Sequence, residues 1–475
     1  MQDKVIKIDG KYGRKVIYSS VEEINQSNVV DVLNKALQIH SLNEQNIAYL
    51  ENYYTGSQPI ENRVKEVREE INNKIVENRA YEIVEFMTAQ NFGEPVQYVR
   101  KGKDESKTGD IQQLNKYMFS EDKGSWDIEL GRWRSICGTS YRICYPDKTY
   151  DKSMDECPFG IDVLNPRDTF VIYSSGLGKR PLMGVYRTKD ENNTNVYHCY
   201  TRNMYYKIKR NHLLETSING VGEVLIVEYP NNSRRLGDIE IVISLLDTIN
   251  KMQSNRMDGI EQFIQAFLVF ENCQIDETTF KTMKDLGAIE VKGDVGLPAK
   301  VYAIVDQLDQ SQLQIAKEDI YESILAVMGL PNRQENSGGD TGAAVVYRNG
   351  WQFAEQRAAI GQPIFEKSEK EFLKIALKIL SANDTLNLNL SDIEIKVTRS
   401  KADNIIVKSQ ALLYQLQAGI EPSIAIKTCN LYSDPEDVSA RSKTAMDAKY
   451  GIGSLVKEQI NVNGNELNEP LKEVV

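Results

Sequence analysis

Between residues 239 and 268 apolar side chains recur at 239, 242, 243, 246, 249, 252, 257, 260, 264 and 267. That is the helical period sustained over about eight turns, a rod on the order of 40 Å long. Leu236-Gly237-Asp238 supplies a break and an N-cap before it. Such a rod constrains everything that follows it in the chain. Val269 to Val305 reads as a compact insert, with β-like AIEVK and KVYAIV divided by Gly287, Gly293, Gly296 and Pro298. Gln307 to Met328 resumes the helical period with Leu308, Ile315, Ile320, Ile324 and Met328 on or near one face. Gly329 to Gly342, GLPNRQENSGGDTG, is a glycine-rich loop, and Ala343 to Ser381 is a long helical run that Gly361 and Pro363 should kink. The order predicts an antiparallel helix pair, with the insert at one end and the loop at the other.

The rest of the chain is mixed. Val21 to His40, Glu44 to Tyr54, Arg63 to Phe92, Asp110 to Met118 and Trp126 to Ser135 carry helical spacing; Asn52 to Ile60 (NYYTGSQPI) is a turn and Val96 to Lys101 a strand. From Thr139 the texture changes to short Tyr-, Val- and Ile-rich runs: YRICYP, FGIDVLN, TFVIYSS, LMGVYRT, NVYHCYT, MYYKIKR and EVLIVEY. Polar turns every 8 to 12 residues or so make this an antiparallel sheet, and its tyrosines suit half-buried sheet faces better than base stacking. LNLNL and IEIKVT after residue 383 read as further strands, followed by helices to about Tyr450 and an aperiodic polar tail. The fold class is α+β.

Several functions are disfavoured. At 475 residues the chain is too long for one core, and a net charge of −11 is the wrong sign for a free-standing duplex binder. No run approaches the roughly 18 apolar residues of a membrane span. The start alternates polar and apolar residues with no secretory h-region, so a cytoplasmic protein with no membrane partner is expected. Cys137, Cys144, Cys157, Cys199, Cys273 and Cys429 form no CxxC pair and there are three histidines, so buried free thiols are expected rather than zinc. Ser174 to Arg180 (SSGLGKR) fails the phosphate-loop pattern at Tyr173 and Arg180. Asp147, Asp151, Asp155 and Glu156 lack calcium-loop spacing, and Gly338 to Gly342 is not preceded by the strand that a dinucleotide fingerprint needs. Neither an enzyme nor a cofactor is expected.

The ordered stretches NYYTGSQPI, NRAYEIVEFMTAQNFGEPVQY, GTSYRICY, NPRDTFVIY, EYPNN, GDIEIVISLLDTIN, ILAVMGLPN and SGGDTGAAVVYR resemble phage portal proteins of the SPP1 type over roughly residues 40 to 440. The resemblance implies a portal fold assembled as a ring of usually twelve copies around a DNA channel. It divides the chain into an N-terminal region and wing (1–235), stem helix 1 (236–268), clip (269–305), stem helix 2 (306–328), tunnel loop (329–342), kinked wing helix with returning strands (343–400), and crown helices with a tail (401–475). The short C-terminus departs from a typical member. Implied partners are double-stranded DNA, the terminase large subunit and then a head-completion adaptor at the clip, and scaffold and major capsid protein at the wing. The location implied is a capsid vertex of a virion put together in the host cytoplasm. Channel candidates are Arg333, Gln334, Asn336, Ser337, Gly338 and Gly339 in the loop and Lys251, Arg256 and Lys317 on the stem. Clip candidates for terminase or adaptor are Asp276, Glu277, Lys281, Lys284 and Asp285.

Charge fits a conduit. The proposed stem carries ten acids (Asp238, Glu240, Asp247, Asp258, Glu261, Asp306, Asp309, Glu318, Asp319, Glu322) against three bases. An acidic wall lets a duplex slide where captured phosphates would hold it, although the same acids equally suit a solvated helix face. Two other readings stand beside the ring: a nucleic-acid-processing enzyme with a carboxylate site that no motif reveals, and a monomeric helical interaction scaffold. Ser337-Gly338-Gly339 supplies permissive backbone, with the loop's polar side chains meeting phosphates rather than bases. Replacing Gly338 and Gly339 by proline is expected to block genome packaging while rings still assemble; normal packaging by that variant would remove the loop from the mechanism.

Overall fold

The computed structural model describes residues 13–101, 105–151, 153, 157–264, 267–271, 281, 298, 300–304, 310–332, 350–383, 385–399, 405–429, 431–432 and 435–450. After β1 (Ile17–Ser19) comes α1 (Val29–Thr55), one helix where two were expected. Nothing breaks it between His40 and Glu44, because Asn43 faces inward and pairs with both backbone groups of Lys15 (2.8 Å each). Its start lies at Val29 rather than Val21, since Asn25 and Asn28 close local turns through their own side chains. The turn in NYYTGSQPI ends α1: Gly56 adopts φ +106°, and the Gly56 and Ser57 amides bond the Tyr53 and Asn52 carbonyls. Three helices follow, α2 (Arg79–Phe92), α3 (Thr108–Ser120) and α4 (Lys123–Cys137), with β2 (Gln97–Arg100) between α2 and α3. The helix expected from Arg63 begins only at Arg79; residues 63–78 take another course.

The strand-rich segment forms two sheets. β3 (Thr139–Pro146), β4 (Phe159–Leu164) and β10 (Ile226–Pro230) make a three-stranded antiparallel sheet in the order β10-β3-β4. β5 (Thr169–Ser174), β6 (Pro181–Lys189), β7 (Asn195–Thr201), β8 (Met204–Lys209) and β9 (His212–Ile218) form an antiparallel meander, with β1 added in parallel to β5. Sequence patterning finds these strands except β1, which is three residues long, and β9, a sheet edge whose side chains are almost all exposed and so do not alternate.

The second half opens with α5 (Ile243–Ile264), the antiparallel pair β11 (Phe267–Glu271) and β12 (Lys300–Ile304), and α6 (Gln310–Met328). α7 (Trp351–Ala382) follows, running through Pro363 as one helix. LNLNL is not a strand. Asp392 accepts the Asn389 amide (2.9 Å) and closes a 3₁₀ turn at Leu390–Asp392 instead. β13 (Ile393–Lys396) pairs with β2, and α8 (Ile405–Gln417), α9 (Pro422–Cys429) and α10 (Pro435–Tyr450) end the described chain. Cys137, Cys144, Cys157, Cys199 and Cys429 are buried free thiols.

Three apolar clusters hold these parts. The first half of α1 packs on the large sheet through Val29, Leu33 and Ala36 against Phe170, Ile172 and Val185. α7 sends Phe365, Phe372, Leu373, Ala376, Ile379 and Leu380 into a cluster with β2, β3, β4, β10 and β13. The second half of α1, α2 and the near ends of α5 and α6 form the third.

Inside the α7 cluster lies a sealed ionic quartet. Lys123 and Asp127 on α4, Arg142 on β3 and Glu369 on α7 are all at most 2% exposed. Lys123 Nζ meets Asp127 Oδ2 at 2.7 Å and Glu369 Oε1 at 2.9 Å, while Arg142 bridges Asp127 and Glu369. The Tyr98 and Tyr229 hydroxyls donate to Glu369, and Arg142 lies 5.0 Å from the Phe372 ring centroid. Two positive and two negative groups balance, which makes burial of four charges tolerable.

Burial alone would raise the Glu369 carboxyl, but Lys123, Arg142 and the two phenols outweigh it and hold it down to about 2. A carboxyl depressed from about 4.5 stabilises the fold above that value and loses the contribution as pH falls towards about 2. Glu369→Gln should cost about 3–5 kcal/mol at neutral pH. In urea unfolding, the gap between variant and wild type should narrow as pH falls through that window; a gap independent of pH would show that Glu369 is not ionised.

Candidate functional site

α5 and α6 lie side by side with the antiparallel strands β11 and β12 at their far end, paired Phe267 to Ile304 through Glu271 to Lys300. The helix predicted to reach Leu268 stops at Ile264, and the aromatic and β-branched run Phe267–Phe270 is strand. At the near end, Ile239, Val242, Leu246 and Ile249 meet Ile324, Leu325 and Met328 of α6, Ile47, Leu50 and Tyr53 of α1, and Ile83, Val84 and Met87 of α2. The base of the pair is therefore part of the subunit core.

Above that base the helix face turns polar. Asn250, Ser254 and Asp258 stand four residues apart, so they line one face of α5. Each accepts a backbone amide from the segment that sequence reading had assigned to a helix: Glu77 N to Asn250 Oδ1 (2.8 Å), Ile75 N to Ser254 Oγ (2.9 Å) and Asn73 N to Asp258 Oδ1 (2.8 Å). Alternate residues of an extended chain advance about 6.6 Å and four residues of a helix about 6 Å, so the two repeats match. The helix serves this segment as a neighbouring strand would, which is why residues 63–78 do not coil. Asp258 also takes Arg63 and Lys65 (3.0 Å each). Burial acts against its ionisation, but the Asn73 amide and the two cations hold the carboxyl below the usual range. Gln58 joins Asn250 to the Tyr53 carbonyl, so the NYYTGSQPI turn is wired to the same face.

Two arginines fix the entry to the pair. Arg14 meets Glu240 at 2.7 Å, both side chains buried; burial pushes the Glu240 carboxyl up to about 7 against the pull of Arg14. Arg357 of α7 donates to the Met328 carbonyl at the end of α6 and to Asp238 Oδ1 (3.2 Å) before α5. It thereby caps the orphan end of one helix and anchors the start of the other. Asp238 stands at the N-cap position of the turn before α5, as expected, but its side chain makes no capping bond. Its carboxylate is taken by Ser135 Oγ (2.8 Å), Asn231 Nδ2 (3.0 Å) and Arg357, and a 3₁₀ turn, Ile239–Ile241, leads into α5. Glu240 holds that turn by accepting the Gly237 amide (2.7 Å).

Of the stem cations, Lys251 is exposed, Arg256 donates across the pair to Gln314 (2.9 Å), and Lys317 pairs with Glu77 (2.8 Å). Of the acids predicted on the stem, Asp238, Glu240 and Asp258 are buried, Asp247 accepts from Tyr53 (2.8 Å), and Glu318, Asp319 and Glu322 are exposed. Asp306 and Asp309, the loop candidates Arg333, Gln334, Asn336, Ser337, Gly338 and Gly339, and the clip candidates Asp276, Glu277, Lys284 and Asp285 lie outside the described residues; Lys281 is exposed. The sequence reading missed Asn250 and Ser254 as acceptors, because their i, i+4, i+8 spacing with Asp258 does not stand out among the other polar residues of the helix. Arg14 and Arg357 left no signal either. Among the described residues, no three His, Cys, Asp or Glu side chains stand close enough to hold a metal, and no helix is long and apolar enough to cross a membrane.

Residues 33–448 match the family model described as phage portal protein, SPP1 Gp6-like. The portal protein of Clostridium phage phiCD119 is 23% identical over 309 residues, a match covering 57% of this chain and 66% of that protein. The chain thus spans just under two thirds of that relative's length.

Replacing Asn250 or Ser254 by alanine should cost about 1–3 kcal/mol by leaving a half-buried amide unpaired. In hydrogen exchange, Asn250→Ala should speed the Glu77 amide and Ser254→Ala the Ile75 amide, each before its neighbours respond. Unchanged protection at both amides would rule out the side-chain ladder.

Proposed function

The chain belongs to the SPP1 Gp6-like family of phage portal proteins, and on that premise we propose that it forms a ring, of twelve copies as family members usually do, at one vertex of a capsid. The α5–α6 pair is the stem, the 269–305 insert the clip, the 329–342 stretch the tunnel loop, and α8–α10 the crown. Double-stranded DNA passes through the ring during packaging and ejection. The clip seats the terminase large subunit and then a head-completion adaptor, and the wing meets scaffold and capsid protein. The ring assembles in the host cytoplasm and remains in the virion.

One observation carries this reading beyond the family match. The helix pair and α7 leave large apolar side chains in water: Ile315 is 65% exposed, Val327 55%, Phe353 66% and Ile360 76%. Among the described residues the chain packs on the inner faces of these helices, and a neighbouring copy would cover the outer ones, as closed heterologous contacts require. Lys251 and the exposed acids of α6 suit a weakly binding wall, because a few cations guide a duplex without arresting it.

Purified protein is expected to give annular particles in negative stain, and a mass more than ten times that of the 53.9 kDa chain in solution. A species that stays at the chain mass over all accessible concentrations, without annular particles, would overturn the proposal.

A further inference from the structure

A cavity of about 200 Å³ lies between α2, α4, α7 and the turn at residues 231–238, with Arg134, Arg357, Arg399 and Asp238 in its wall. Two of the three guanidinium groups are matched: Arg357 by Asp238 (3.2 Å) and Arg399 by Glu355 (2.6 Å). Arg134 is not. It is 6% exposed, held between the rings of Phe92 and Phe365 at 5.6 and 5.4 Å from their centroids. Among the described residues its hydrogen bonding amounts to the Pro230 carbonyl at 3.4 Å, and its Nε has no partner. The Arg399 Nε is likewise unpartnered. Burial pulls the Arg134 guanidinium down to about 10, against longer-range help from Asp238 and Tyr229. Asp238 is already committed to Ser135, Asn231 and Arg357. A buried guanidinium with five donors and no carboxylate is a costly arrangement unless something completes it.

We propose that this cavity is a socket for one carboxylate side chain of an adjacent copy of this chain. The inference rests on the ring reading and names the contact that part of the ring interface makes. Charge sets the occupant: with Arg357 and Arg399 neutralised, the wall carries one surplus positive charge, which a single carboxylate balances. Size agrees, since about 200 Å³ admits one side chain and little else. The chain can supply it, with 68 acids against 57 bases; α6 alone presents Glu318, Asp319 and Glu322 exposed, none of them ion-paired among the described residues. A duplex phosphate does not suit the site, because Arg134 is recessed between two phenyl rings and a DNA backbone meets proteins along an open surface.

Arg134→Leu separates this role from a structural one by the sign of its effects. The isolated subunit should melt at the same temperature or higher, since an unpaired buried charge gives way to an apolar side chain. Ring assembly, followed by mass photometry, should need about tenfold more protein or worse. Arg134→Lys with a zero-length carbodiimide should link position 134 to an Asp or Glu of a second copy, identified by mass spectrometry. Rings of Arg134→Leu as robust as the wild type, or no inter-copy link at position 134, would overturn the socket. So would inorganic phosphate raising the melting temperature of wild type alone while assembly is unchanged, which marks a free-ion site. A wild type that never assembles would be evident before any variant is made and would overturn the ring reading, and the socket with it.

Discussion

The quartet of Lys123, Asp127, Arg142 and Glu369 sets the geometry on which the other joints rely. It is a neutral set of charges in a dry interior, so each member is usable only while the other three stay in place. It joins α4, β3 and α7 directly, and through the Tyr98 and Tyr229 hydroxyls it reaches β2 and β10. The consequences run outward along both helices. The last turn of α4 carries Ser135, which holds Asp238, and Gly138 just beyond it has a φ of +78° and a close approach to the Arg235 carbonyl that leave no room for a side chain. α7 carries Arg357 to the ends of α5 and α6. The pose of the helix pair against the sheets therefore traces back to four buried side chains some distance from it.

Apolar and polar contacts divide the work differently along the molecule. Where elements meet broadly, as α1 does with the large sheet, Val, Ile, Leu and Phe supply the contact and the area buried supplies the energy. Where an element must be held at one angle, ionic groups do it: Arg14 with Glu240 and Arg235 with Glu228 around buried carboxylates, and Arg187 with Glu44 and Asp168 in a half-buried set. Apolar surfaces tolerate sliding, whereas a buried guanidinium that loses its carboxylate is left with an unpaid desolvation cost. The polar joints thus confer position more than net stability.

Much of this architecture was legible because it follows from periodicity. The 3.6-residue repeat placed α3, α4, α5 and α6 within a few residues, and the short Tyr- and Val-rich runs gave β3 to β8 and β10. What the pattern could not carry was any element set by a distant partner. Residues 63–78 have the spacing of a helix, yet their amides go to Asn250, Ser254 and Asp258, some 180 positions away. α1 runs through His40–Glu44 because Lys15 satisfies Asn43. Asp238 looks like an N-cap, but Ser135, Asn231 and Arg357 claim its carboxylate. The motifs that carried the family resemblance sit at these joints: NYYTGSQPI supplies Gln58, GTSYRICY supplies Arg142, EYPNN supplies Glu228 and Asn231, and GDIEIVISLLDTIN supplies Asp238 and Glu240. They were recognisable as strings before their physical purpose could be read. The order of these motifs, rather than any cluster of reactive groups, carries the functional signal.

The ladder along α5 makes the helix sensitive to phase. Each acceptor sits on the correct azimuth only because its neighbour is four residues away. Deleting one residue between Asn250 and Ser254 would swing one acceptor away from its amide by about 100° relative to the other. Point substitutions there lose one bond at a time, while a single-codon insertion or deletion would unhook everything beyond it. Natural length variation in this protein should therefore collect in the turns between strands, such as those after Ser174 and Lys189, and spare the seven residues that separate Asn250 from Asp258.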